Sequence, residues 1–218
     1  LRAVAALVPL STRIDGEVLA SLRGYGVRAW SQGVLSFVLL RTDVLLLAAL
    51  AGTRASGLYA AAGLAREMVL FLPWIAGMLL LPKEAAATGP TGPTSGPLAL
   101  LPRGLSRRGW AVTLGAAVVL WTFAEPFVTA IHGAHFADGA PLVRILVVAA
   151  VLSGAGNLEV QELLGRGAAG WATSAAAAAL VVALVGNVAL IPRLGALGTA
   201  WTALASGAVL VAVTTAGV

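Results

Sequence analysis

The strongest constraint in this sequence is a pair of consecutive uncharged stretches at its C-terminal end, residues 167–192 and 194–218. A helix needs about 20 mostly apolar residues to cross the hydrocarbon core of a bilayer, and each stretch is longer than that. Arg193 separates them and is flanked by Pro192 and Gly195, which are typical of a turn. The two stretches therefore predict an antiparallel pair of transmembrane helices.

The composition of the whole chain agrees with a membrane location. Hydrophobic residues make up 59% of the 218 residues and charged residues only 11%, whereas soluble domains carry about 25% charged residues. This excludes an ordinary soluble enzyme, a disordered chain and a nucleic-acid-binding domain. The net charge of +5 is better explained by arginines near lipid headgroups than by a nucleic-acid partner. There is no cysteine, so neither disulfides nor thiolate metal sites can form.

Long apolar stretches continue through the rest of the chain, and they predict an all-α fold, a polytopic membrane bundle of six transmembrane helices. Residues 1–25 are predicted to hold the end of a preceding helix and a polar connection. The segment 83–108 contains TGPTGPTSGP and is predicted to be an irregular loop. Because the chain begins with Leu1, we expect a fragment of a longer protein. The predicted spans are 26–50, 57–82, 109–131, 139–164, 167–191 and 195–218.

The distribution of basic residues predicts the orientation of the bundle. Nine lysines and arginines fall in the connections on one side, which include residues 11–25 and 83–108, and three fall on the other. Cytoplasmic loops carry the excess of positive charge in membrane proteins. The side with nine is therefore predicted to be cytoplasmic, and the C-terminus is expected on that side too.

Four charged residues lie inside the first two predicted spans: Arg41, Asp43, Arg66 and Glu67. Each charge costs about 2.5–3.5 kcal/mol at the middle of the bilayer. The two spans are joined by a short turn, so residues at equal depth should meet. This predicts that Arg41 pairs with Glu67 and that Asp43 pairs with Arg66. The pairs could lock the two helices together, or they could line a polar cavity in which arginine meets an anionic substrate.

Further polar residues lie in the fourth and fifth spans. Glu159 is deep enough to be a candidate for a polar cavity, whereas Glu162 is expected to pair with Arg166 one helical turn away. Asn187 is expected to form a hydrogen bond between helices.

Catalytic and metal-binding patterns are missing from the sequence. His132 and His135 have only Asp138 near them as a third possible ligand. No GxSxG, HExxH or Walker A motif is present. We therefore predict no enzyme activity, no catalytic residues, no metal site and no cofactor.

The first two spans contain Arg41 and Asp43 as R-x-D, then Gly57, Tyr59 and Ala62 as G-x-Y-x-x-A, followed by Glu67 and Leu72-Pro73. With this order of motifs the chain resembles the polysaccharide (O-antigen-type) flippases of the multidrug/oligosaccharidyl-lipid/polysaccharide exporter superfamily. These proteins have R-x-D in one helix, then G-x-Y-x-x-A, an acidic residue and L-P in the next. Further on, the family shows N-x-x-x-I-P-x-x-G-x-x-G-x-A. The matching residues here are Arg41, Asp43, Gly57, Tyr59, Ala62, Glu67, Leu72, Pro73, Asn187, Ile191, Pro192, Gly195, Gly198 and Ala200.

The resemblance implies that the chain is the C-terminal lobe of a two-lobed transporter in the bacterial plasma membrane. Its partners would be the N-terminal six-helix lobe, membrane lipids and a polyprenyl-pyrophosphate-linked oligosaccharide, which the two lobes would flip by alternating access. Arg41 and Arg66 would meet the pyrophosphate, with Asp43, Glu67 and Glu159 tuning the cavity. Alternatives are a cation-coupled multidrug exporter, a lipid II flippase and a non-transporting membrane scaffold, in which all four deep charges would form structural pairs.

Overall fold

The computed structural model describes residues 16–88 and 105–217, and within these ranges every regular element is a helix. The first helix is much longer than the others. A bent pair of helices, a 3₁₀ helix and three long helices follow it in the chain. In chain order the elements are α1 (Gly16–Thr88), α2 (Leu105–Thr122), α3 (Ala124–His132), a 3₁₀ helix (Ala134–Gly139), α4 (Ala140–Gly165), α5 (Ala169–Leu194) and α6 (Ala196–Thr215).

Helix α1 is broken at Gly52, where φ is 84° and ψ is 176°. Almost only glycine adopts this backbone conformation. The hydroxyl of Tyr59 lies 3.0 Å from the carboxylate of Asp43, although 16 residues of straight helix would separate them by about 24 Å. The chain therefore turns back at Gly52, and α1 consists of two neighbouring arms, arm 1 (16–51) and arm 2 (53–88).

A second break separates α2 from α3, which meet at an angle of 78°. The sequence predicted one span over 109–131 that contains Pro126, and the structure divides it into two helices. Pro126 explains the break, because a proline ring clashes with the carbonyl four residues earlier and lacks an N–H to bond it. That carbonyl belongs to Thr122, the last residue of α2.

In the described residues the all-α fold is confirmed, but six separate spans are not. Four helical stretches are long and apolar enough to cross a membrane, and a fifth is obtained if α2 and α3 count as one bent span. The four are Leu22–Met78, Ala134–Gly165, Ala169–Leu194 and Ala196–Thr215.

Two connections are shorter in the structure than the sequence predicted. Helix α1 already begins at Gly16, inside the predicted polar connection, and it continues to Thr88, past the predicted start of the 83–108 loop. Helix α2 begins at Leu105, before that loop was predicted to end. The rest of the loop and residues 1–15 lie outside the described residues.

Helix α4 lies in the middle of the bundle, between α1 and α6, and α5 packs against α6 and α1. The core is built mostly from alanine, valine and leucine, whereas large apolar side chains cover the outside. Trp30 is 71% exposed, Leu45 69% and Val185 65%. Such an apolar exterior suits lipid contact, since large exposed apolar patches are rare on soluble monomers.

Arm 1 runs parallel to α5. The hydroxyl of Thr173, near the start of α5, donates to the backbone carbonyl of Arg28 at 2.9 Å. Asn187, 14 residues further along α5, contacts Asp43, 15 residues further along arm 1. The turn at Gly52 and the α5–α6 turn therefore lie at the same end of the bundle.

Candidate functional site

A buried polar cluster joins arm 1, arm 2 and α5, and Asp43 is at its centre. Asp43 is only 3% exposed. One carboxylate oxygen, Oδ2, accepts a hydrogen bond from Tyr59 at 3.0 Å and lies 3.4 Å from Nη1 of Arg66. The other, Oδ1, accepts from Nδ2 of Asn187 at 3.0 Å. Three donors from two other helical segments thus surround one carboxylate, which we call the Asp43 cluster.

Helical geometry places these side chains together. Tyr59 and Arg66 are seven residues apart in arm 2, which is close to two helical turns, so both lie on the face that meets arm 1. Asn187 lies seven residues before the end of α5, which places the cluster about 10 Å below that end of the bundle. The cluster therefore lies within the hydrocarbon thickness that these helices span.

Ionised groups at this depth are stable only when they are paired. The side chains of Arg66 and Asp43 are 12% and 4% exposed, and their ion pair satisfies that requirement. Two buried atoms of the cluster, Nε of Arg66 and Oδ1 of Asn187, have no hydrogen-bond partner among the described residues. The cluster thus holds its charges within the protein, with one buried donor and one buried acceptor left unbonded among the described residues.

The predicted pair of Asp43 with Arg66 is confirmed, but the predicted pair of Arg41 with Glu67 is wrong. Both Arg41 and Glu67 have exposed side chains, and no ion pair joins them in the described part of the chain. Successive helical residues are turned by about 100°, so Arg41 points about 200° away from Asp43. When Asp43 faces the interior, Arg41 must face outwards.

Arg41 lies on an apolar outer face of arm 1. Phe37 and Leu45, one turn before and one turn after it, are 64% and 69% exposed. On arm 2, Glu67 has a similar setting beside Phe71, one turn further along, which is also exposed. The structure therefore divides the four deep charges into an internal pair, Asp43 with Arg66, and two exposed charges, Arg41 and Glu67.

Glu159 lies apart from the Asp43 cluster. It is half-buried, and its carboxylate accepts a hydrogen bond from the hydroxyl of Thr214 in α6. Two other predictions are confirmed: Glu162 pairs with Arg166, and Asn187 forms a hydrogen bond between helices. Glu159 thus joins α4 to α6 and does not share a site with the other candidates.

Sequence reasoning missed Tyr59 as a partner of Asp43. The signal was available, since Tyr59 lies on the same face as Arg66 and only seven residues after the turn at Gly52. Asn187 was expected to bond to another helix, but its partner depends on how α5 packs against arm 1 and could not be read from spacing.

Neither metal ligands nor known relatives add a further indication of function. In residues 16–88 and 105–217, no three histidine, aspartate or glutamate side chains are close enough to hold a metal ion. Comparisons of the chain with protein-family models, with curated proteins and with solved structures gave no match. The features that indicate function are therefore the apolar helical bundle and its four deep charges.

Proposed function

We propose that this chain is one lobe of a transporter that flips a polyprenyl-pyrophosphate-linked oligosaccharide across the bacterial plasma membrane. The observation that carries the proposal is an exposed arginine, Arg41, at membrane depth on the outside of the lobe. Arg41 lies 11 residues before Gly52, which corresponds to about 16 Å from the turn.

The helical layout supports the proposal of a six-helix lobe. Arm 1 from Leu22 to the break and arm 2 from the break to Met78 each exceed the 20 or so residues that a crossing needs. Together with the bent α2–α3 pair and α4, α5 and α6, they would cross the membrane six times. In this arrangement the bend at Phe123 lies within one crossing.

The position of Arg41 favours a polar space beside arm 1. A charge facing lipid at mid-membrane costs about 2.5–3.5 kcal/mol, and ionisable residues in transmembrane helices almost always face the bundle interior or a water-filled cavity. Arg41 faces away from the interior of this lobe, so the cavity would lie between this lobe and a second one. A guanidinium there can bind a pyrophosphate through paired hydrogen bonds.

Arg66 has a different role in this proposal. Its guanidinium already pairs with Asp43, so it holds the two arms together and supports the face of arm 1 on which Arg41 lies. Glu67 is exposed and lies 15 residues after Gly52, about 6 Å further from the turn than Arg41, and from there it would partly balance the charge of Arg41 when no substrate is bound. Glu159, bonded to Thr214, would hold α4 against α6.

The exposed charges also distinguish this proposal from the alternatives. A non-transporting scaffold should have all four deep charges in structural pairs, yet Arg41 and Glu67 have no ion-pair partner among the described residues. In a cation exporter the substrate would be drawn to Glu67, the accessible acid, because Asp43 is buried and already has three partners. We propose an anionic substrate because the resemblance implies a pyrophosphate, which the exposed guanidinium of Arg41 can bind.

We expect Arg41→Ala to weaken binding of a polyprenyl pyrophosphate at least tenfold, since a hydrogen-bonded charge pair contributes about 1.5–3 kcal/mol. The measurement is binding of farnesyl pyrophosphate to the purified full chain in detergent, with farnesol as the uncharged competitor. Arg28→Ala is the matched control, because it removes an exposed arginine from the membrane end of the same arm.

Transport is tested with the same substitutions in the complete two-lobed transporter, reconstituted in proteoliposomes that contain a polyprenyl-pyrophosphate-linked oligosaccharide. Arrival of the glycan at the outer leaflet is followed with an added glycosidase. We expect the flipping rate of Arg28→Ala to match that of the native protein. The flipping rate of Arg41→Ala should be at least tenfold lower, in line with its weaker binding. Native binding and flipping by a correctly inserted Arg41→Ala variant would refute the role of Arg41.

A further inference from the structure

A cavity of about 400 Å³ lies at the end of the bundle that carries the turn at Gly52. Three connections meet there: the turn between the arms, the start of α4 and the turn between α5 and α6. Ten residues line it, among them Arg54, Leu58, Asp138 and Leu197.

The lining residues belong to helix ends, which places the cavity at the membrane surface. Leu58 is the lining residue furthest from a break in its helix, six residues after Gly52, or about 9 Å along the arm. The Asp43 cluster lies deeper in the bundle, and none of its members lines the cavity. The cavity is therefore a separate site at the level of lipid headgroups.

Two oppositely charged side chains lie in this otherwise apolar lining. Arg54 and Asp138 are both exposed, and neither forms an ion pair with the other or with a third residue of the described segments. The remaining eight lining residues are apolar. Such a cavity is complementary to a ligand with a negative group, a positive group and a hydrocarbon part.

We propose that this cavity binds the headgroup of a zwitterionic phospholipid with a primary ammonium, such as phosphatidylethanolamine. The phosphate would lie against Arg54 and the ammonium against Asp138, with the glycerol and the first acyl carbons against apolar walls such as Leu58 and Leu197. The volume suits this, since small-molecule sites measure about 300–1,000 Å³.

The chemistry of Asp138 selects among common headgroups. A primary ammonium has three N–H donors for the carboxylate, as a lysine side chain does. The trimethylammonium of phosphatidylcholine has none, so it gains only the weaker attraction between charges. Phosphatidylglycerol brings a net negative charge towards Asp138 and has no cation to pair with it. The expected order of affinity is therefore phosphatidylethanolamine first, with the other two weaker.

The test is competition between lipids for the purified full chain. The chain is delipidated in detergent and offered equal amounts of phosphatidylethanolamine, phosphatidylcholine and phosphatidylglycerol with identical acyl chains, and bound lipid is counted by native mass spectrometry. We expect about fivefold more phosphatidylethanolamine than phosphatidylcholine on the native chain. This is the ratio that a partly exposed charge pair of about 1 kcal/mol gives.

Three variants assign the preference to the cavity. Asp138→Asn should bring phosphatidylethanolamine down to the level of phosphatidylcholine, and Arg54→Gln should reduce binding of all three lipids. Arg193→Gln is the matched control, because Arg193 is an exposed cation at the same end that does not line the cavity. It should retain the native preference.

Equal binding of the three lipids by the native chain would overturn the proposal without any variant being needed. A preference for phosphatidylglycerol would overturn it too, because it would indicate a simple anion site. A native preference that survives in Asp138→Asn would show that the selection occurs elsewhere. None of these outcomes depends on transport, so the lipid site and the flippase proposal can fail separately.

Discussion

Replacing Asp43 by alanine is expected to destabilise the folded bundle by about 4 kcal/mol, the cost of breaking a buried ion pair by removing one partner. The change would leave the Arg66 guanidinium, which is 12% exposed, as a buried charge without its counterion. It would also take the hydrogen-bond acceptor away from Tyr59 and Asn187, which both donate to this carboxylate. One substitution thus loosens the contact between arm 1, arm 2 and α5.

The measurement is the apparent free energy of unfolding in mixed micelles of increasing dodecyl sulfate content. Thr42→Ala is the matched control, because Thr42 is also buried and adjacent but bonds only to Val38 in its own arm. Thr42→Ala should lower the free energy of unfolding by about 1 kcal/mol. A loss in Asp43→Ala no larger than in Thr42→Ala would show that the cluster does not stabilise the bundle.

A double variant separates the ion pair from the other losses. Adding Arg66→Met to Asp43→Ala removes the unpaired charge and keeps a long apolar side chain in its place. Contacting residues of one ion pair are coupled by about 0.5–3 kcal/mol, so the double variant should be more stable than the sum of its single changes predicts. Simple additivity would contradict the pairing of Arg66 with Asp43.

The sequence was enough to place the long apolar helices, because membrane thickness fixes their length. Helices α4 and α5 begin within two residues of the predicted spans, and α6 begins within one. The chain turns back at Gly52, inside the short connection predicted between the first two spans. The angle of 78° between α2 and α3 could not be read from the sequence, since hydropathy does not report direction, although Pro126 marks where the helix ladder breaks.

Depth arguments from the sequence predicted one ion pair correctly and one wrongly. The depths predicted from the sequence for Asp43 and Arg66 matched, and in the structure their faces also meet. For Arg41 the depth was compatible with Glu67, but a residue two positions from Asp43 lies on nearly the opposite side of the helix. A prediction that uses depth and helical phase together would have assigned Arg41 to the outer face.

The separation of the two arginines is the most informative result for function. A resemblance to lipid-linked oligosaccharide flippases suggested that both would meet a pyrophosphate. In the structure Arg66 instead forms an ion pair with Asp43, and Arg41 is exposed. Because the Arg66 guanidinium is buried and Asp43 already neutralises its charge, we propose that Arg41 provides the anion contact and Arg66 its support.

Replacing Gly198 by alanine is expected to destabilise the bundle by about 3 kcal/mol, the upper range for forcing an extra methyl group into a packed site. Helices α5 and α6 meet tightly just after their turn at Gly195. A Cβ on Gly198 would lie 2.6 Å from the backbone oxygen of Leu190. A backbone atom cannot move aside as a side chain can, so the two helices would have to separate.

Gly63→Ala provides the matched control for this prediction. Gly63 also lies inside a helix, arm 2, but a Cβ there would meet nothing within 4 Å. Alanine is favoured over glycine in a helix by about 1 kcal/mol, so this change should leave the bundle as stable as the native chain or more stable. Unfolding in mixed micelles should therefore shift in opposite directions for the two variants. If both variants were stabilised, the close contact between α5 and α6 at Gly198 would be contradicted, because helix propensity alone would then explain the result.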